Sequence, residues 1–149
     1  MAKAFQKVAA GDPNPPAKNS TASNAVVFAG EEIDVVAANL TLNAVLGHIV
    51  VPKGAEIIGA DLWASDLDTG GSAAIVLSVG DAVAGDPDDD RLITGATVGQ
   101  AGGLTQAMAA SGYGYRYAED TLVQVKVKTA PATAAATGKI RYGVRYVSQ

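Results

Sequence analysis

Hydrophobic and polar positions alternate most strictly near the C-terminus. Val123, Val125 and Val127 are separated by Gln124 and Lys126, and Ile140, Tyr142, Val144 and Tyr146 by Arg141, Gly143 and Arg145. A period of two puts alternate side chains on opposite faces of an extended chain, so both segments predict strands with one buried and one wet face. Thr129 to Gly138, rich in Ala, Thr and Pro, predicts the loop between them. Upstream, the apolar runs Ala25 to Phe28, Ile33 to Val36, Val45 to Val51, Ala55 to Trp63 and Ala73 to Val79 are bounded by turn residues such as Pro52-Lys53-Gly54 and Gly70-Gly71-Ser72. Gly80 to Asp90 predicts an acidic surface loop, after which Arg91-Leu92-Ile93 resumes the apolar pattern. Only Gln100 to Ala110, with Leu104 and Met108 one helical turn apart, hints at a helix, and Gly102-Gly103 weakens it.

Strands spaced about ten residues apart, with no long repeat, predict an all-β, antiparallel β-sandwich. Eight or nine such strands with long crossing loops predict a jelly roll. Residues 1–22 stand outside this pattern. Gly11-Asp12-Pro13-Asn14-Pro15-Pro16 and the polar Lys18 to Ala22 favour extended backbone, which predicts an extended N-terminal arm over residues 1–22 and a sandwich domain over 23–149.

Hydrophobic residues make up 48% of the chain, yet aromatics are only 5% and there are 17 glycines, so the expected core is fine-grained and closed by tight turns. The absence of cysteine excludes disulfides, thiolate metal sites and a cysteine nucleophile. No apolar run approaches the ~20 residues of a membrane-spanning helix. The basic N-terminus reaches Gly11-Asp12-Pro13 before any apolar signal core, so the expectation is a soluble protein made in the cytoplasm. The net charge of −4 is unevenly placed: residues 31–90 carry twelve acids against Lys53 alone, whereas residues 91–149 carry seven bases against Glu119 and Asp120. An acidic whole argues against nucleic acid as the main partner.

Four features invite chemistry. Leu67-Asp68-Thr69-Gly70 matches the Asp-Thr-Gly core of aspartic proteases, where paired carboxylates share a proton. The apolar-apolar-Gly element that should follow it is missing downstream, and Asp-Thr-Gly-Gly is also an ordinary turn, which is the reading adopted. Asp81, Asp86, Asp88, Asp89 and Asp90 offer oxygen ligands for Ca²⁺ but lack the mid-loop Gly and terminal Glu of an EF-hand, so they read as a solvated loop with no metal. His48, the only histidine, sits in the apolar run Val45 to Val51 and reads as a packing residue. Tyr113, Tyr115 and Tyr117 alternate around Gly114 and Arg116, a pattern that could stack sugars or bases but reads as strand residues at a core rim or subunit interface. No phosphate-binding loop occurs. These readings leave no catalytic residue and no cofactor.

Val51-Pro52-Lys53-Gly54-Ala55, Asp66-Leu67-Asp68-Thr69-Gly70, Val79-Gly80-Asp81 with the acidic loop, Gly112-Tyr113 and the terminal Gly138-Lys139-Ile140 carry a resemblance. From Val51 to the C-terminus the chain resembles the jelly-roll head decoration, or cement, proteins of tailed bacteriophages. That resemblance implies a non-enzymatic virion protein on the capsid exterior that bridges neighbouring major capsid subunits as a dimer or trimer, with neither nucleic acid nor membrane as partner. Lys3, Phe5, Lys7 and Val8 of the arm, with Tyr113, Tyr115 and Tyr117, are the residues expected at the capsid or subunit interface. The competing expectations are a tail or neck component, a carbohydrate-binding β-sandwich module and the aspartic protease.

Overall fold

The computed structural model describes residues 25–148. Eight strands run β1 (Val26–Val36), β2 (Val45–Val51), β3 (Glu56–Ala64), β4 (Val76–Asp81), β5 (Asp88–Ala96), β6 (Gly103–Thr105), β7 (Thr121–Thr129) and β8 (Thr137–Val147). They form two four-stranded sheets, ordered β1-β8-β3-β6 and β2-β7-β4-β5. The antiparallel partners are nested: β1 with β8, β2 with β7, β3 with β6 and β4 with β5. Strands that fold back in nested pairs and then divide between two sheets make a jelly roll.

The alternation at the C-terminus does what its period demands. Val123, Val125 and Val127 of β7 and Ile140, Val144 and Tyr142 of β8 point into the core, each no more than 2% exposed. Opposite them lie Ile57, Leu62, Leu77, Val79, Leu92 and Ile93, also buried. This filled interior, with apolar side chains meeting from both sheets, fixes which face of every strand looks outward.

Four local expectations are corrected. The runs Ala25 to Phe28 and Ile33 to Val36 are one strand, because Gly30 continues the pairing with β8 opposite Gly143. The helix expected over Gln100 to Ala110 is absent: Gly102 and Gly103 take positive φ, and β6 pairs Leu104 with Trp63 instead. Much of the acidic loop is strand, since β4 runs to Asp81 and β5 begins at Asp88. His48 is not a packing residue; the bulge between Val45 and Gly47 leaves it exposed opposite Gln124.

Asp68 explains how the two ends of the sandwich loops hold together. It is 2% exposed. Its carboxylate accepts backbone N–H groups from Gly70, Ala74, Ile75, Ala132 and Thr133 at 2.6–3.2 Å. Burial alone would raise its pKa, but the backbone donors outweigh it and hold the carboxyl well below the usual range. All of this capacity is spent on the β3–β4 and β7–β8 loops, so the Asp-Thr-Gly segment is a turn and a clamp.

Candidate interaction surface

On the outer face of the β1-β8-β3-β6 sheet lies an apolar groove of about 350 Å³, lined by Phe28, Gly30, Glu32, Asp61, Trp63, Leu104 and Arg141, together with Glu31 and Tyr142, which hydrogen-bond each other from the opposite, inward face. Its geometry follows from register. Glu32 lies opposite Arg141, Arg141 opposite Trp63 and Trp63 opposite Leu104, so one row crosses all four strands. Two residues along, Gly30 faces Gly143 and Gly143 faces Asp61. The Phe28 ring lies across Gly30 and Gly143, where any Cβ would collide with it. Glycine at both positions therefore lets an aromatic ring lie flat on the sheet.

The groove is framed by charges that already have partners. Arg141 donates to Glu32 at 2.6 Å and sits 5.5 Å from the Trp63 ring centroid. Arg145 donates to both oxygens of Asp61 at 2.7 Å, and Gln106 donates to the same carboxylate. Inside the rim, Phe28 remains 58% and Leu104 59% exposed. An aromatic and aliphatic centre with an arginine-bearing polar rim is the composition of a protein-contact surface.

The tyrosines expected at the interface are not on one strand face. They lie in a turn segment whose backbone pairs irregularly with Gly54 to Ile57, where Tyr117 donates to Ala55 and Ile57 donates to Tyr115. Tyr113 is 66% exposed and Tyr115 half-buried. Tyr117 is 1% exposed, and its hydroxyl donates to Asp81 at 3.0 Å. Burial, with Asp81 beside it, pushes the Tyr117 hydroxyl pKa up, so it stays a donor. Tyr113 is thus the freely presented member of the three. Lys3, Phe5, Lys7 and Val8 lie outside the described residues.

The acidic segment is also less free than its composition implies. Asp81, 2% exposed, accepts Arg91 Nε at 2.6 Å, and Arg91 stacks 4.1 Å from the Tyr115 centroid. Asp89 accepts both Lys126 and Lys128, which hold its carboxyl below the usual range. Asp88, Asp89 and Asp90 do converge within 4.8 Å, but Asp89 is committed to the two lysines. Groove and buried ion pair both escape a sequence reading because each joins residues from several strands.

No family profile matches the chain, and no curated protein does. Solved structures do. A chain in the capsid of Ralstonia phage GP4 is 32% identical, with a TM-score of 0.67 over 83% of this chain and 85% of that one. This chain belongs to a family of bacteriophage capsid proteins. A second family member, from the cyanophage Pam1 capsid asymmetric unit, is 27% identical, with a TM-score of 0.69 over 85% of this chain and 87% of that one. The likeness covers nearly the whole sandwich, so what this capsid protein shares with its relatives is the jelly roll itself. No helix among the described residues is long and apolar enough to cross a membrane.

Proposed function

We propose that this capsid protein is a decoration protein: a structural, non-enzymatic component that binds the outer surface of the phage shell and stabilises it by bridging major capsid subunits. The observation that carries the reading is a closed, filled sandwich that keeps an aromatic groove on its outer face. A domain that completes its own core needs no shell lattice to fold, so it is suited to joining a finished surface. The exposed Phe28 and Leu104 then supply the contact energy, at roughly 25 cal/mol per Å² of apolar area covered.

Bridging also requires reach. The Pro-rich composition of residues 1–22 favours extended backbone suited to crossing to a neighbouring subunit, with Lys3, Phe5, Lys7 and Val8 proposed as its contacts and Tyr113 as a further contact on the domain. The test is quantitative mass spectrometry of purified virions with surface labelling. A copy number comparable with the major shell subunit, and lysine labelling of intact particles, is expected. A few copies per particle would place the chain in the tail or neck instead.

A further inference from the structure

We infer that two copies of this chain join edge to edge, pairing β2 with β2 antiparallel about a two-fold axis at Ile49. Such a dimer deepens the bridging role proposed above by stating how copies join. It forms in the free protein, so its test fails separately from that of shell binding.

β2 is the edge the chain leaves unguarded. Edge strands ordinarily carry charge, stay short or lie under a loop, because their unpaired N–H and C=O groups invite another strand. β1 carries Glu31, Glu32 and Asp34, and β6 has only three residues. β5 opens on Asp88, Asp89 and Asp90, and the segment after β6 covers it, where Ala109 N–H donates to Leu92 and the Ser111 hydroxyl to the Arg91 carbonyl. β2, Val-Leu-Gly-His-Ile-Val-Val, contains no Asp, Glu, Lys or Arg and ends its sheet with no strand beyond it among the described residues. Its one bulge precedes Gly47 and leaves Gly47 to Val51 regular. The core is also more thinly covered here. Leu92 and Ile93 at the β5 margin are buried, whereas Leu46 and Ile49 of β2 and Ile33 of β1 stay half-buried.

The direction of the backbone bonds selects the register. Val127 exchanges bonds with Asn43 and Ala44, so it faces the β2 side, while Leu122 turns the other way and accepts Ala82. Alternate residues of a strand direct their backbone groups alike, so Val125, Val123 and Thr121 also face β2 and engage Gly47, Ile49 and Val51. The N–H and C=O of His48 and Val50 therefore point to the open edge. Against a second copy, His48 of each lies opposite Val50 of the other and exchanges both N–H···O bonds, with Ile49 meeting Ile49 on the axis. Val50, 60% exposed, gains a cross-strand neighbour, and half-buried Ile49 is covered by its twin. An uncharged strand meets itself in this register with no like charges opposed, which makes a second copy the fitting occupant. A two-fold axis normal to the shared sheet also puts both Phe28–Leu104 grooves on one side, giving the dimer two attachments to a single surface.

Light scattering of the full chain at micromolar concentration is expected to give twice the chain mass. Val50→Lys sets a charge at the seam, and His48→Pro removes an outward N–H while sparing the ladder to β7. Both are expected to give monomers that keep the strand circular dichroism of the intact chain. Because the chain has no cysteine, Ile49→Cys supplies a lone thiol whose twin lies about 4.5 Å away between Cα atoms, within disulfide reach. Mild oxidation should link Ile49→Cys into a covalent dimer severalfold faster than Thr94→Cys, an exposed position on β5. Any mass other than the dimer's overturns the inference. So does a dimer that persists in folded Val50→Lys and His48→Pro, and so does an Ile49→Cys chain that links no faster than Thr94→Cys.

Discussion

Asp68 and Asp81 are buried carboxylates of opposite character. Asp68 is satisfied by backbone N–H groups and Asp81 by a guanidinium and a phenol. Removing Asp81 takes away the Nε partner of buried Arg91 and the acceptor of Tyr117, leaving Arg91 hydrogen-bonded only to Asp86, so Asp81→Ala is expected to cost about 3 kcal/mol in chemical denaturation. For Asp68 the informative variable is pH. Its folded pKa lies below the unfolded value of ~3.9, so the folded chain binds fewer protons and the stabilisation is complete at neutral pH. It is lost as pH falls through ~3.9 and toward the lower folded value. Asp68→Asn should therefore lower the melting temperature at pH 7 and flatten its decline between pH 5 and 3. An unchanged acid limb in the variant would show that other carboxylates govern acid unfolding. The sequence shows Asp68 as a turn residue, but nothing local reveals that Ala132 and Thr133, far along the chain, complete its shell.

Strands were legible where one face is dry and the other wet. β7 and β8 alternate strictly because their outward residues Lys126, Lys128, Arg141 and Arg145 meet cross-strand acids while the inward ones fill the core. The register predicts that Val125→Asp unfolds the domain, because a buried unpaired carboxylate costs several kcal/mol, while Lys126→Ser changes stability by about 1 kcal/mol or less. Thermal melts in the reverse order would invert the faces. Leu62→Ala, at 0% exposure, is expected to cost about 2–5 kcal/mol. β6 was illegible for a simple reason: three residues entered through the positive-φ glycines Gly102 and Gly103 hold no period. The β4–β5 pairing hides a similar constraint. A Cβ at Gly80 would run into the backbone of Asp88 and Asp89, so Gly80→Ala should disrupt that edge.

At the scale of the molecule, the sequence's lopsided charge resolves into cross-strand pairs. Glu32 meets Arg141, Asp61 meets Arg145, Asp89 meets Lys126 and Lys128, and Glu56 meets Arg116. Pairing within the chain consumes much of the apparent dipole and leaves the apolar groove as a prominent outward feature. Its apolar members sit at outward positions of three strands, so the groove becomes visible only once register places Phe28, Trp63 and Leu104 on one face. The central claim is that this face and the arm bind a phage shell. The direct measurement adds the protein back to capsids stripped of it, comparing the intact chain, a chain beginning at Ala22, and a groove variant, Phe28→Ser with Leu104→Ser, that keeps the core. Saturable rebinding that raises the capsid's melting temperature, weakened by truncation and by the groove substitutions without loss of the domain's own fold, is the predicted result. Full occupancy by both variants at the same concentration as the intact chain, or no rebinding by the intact chain, would contradict it.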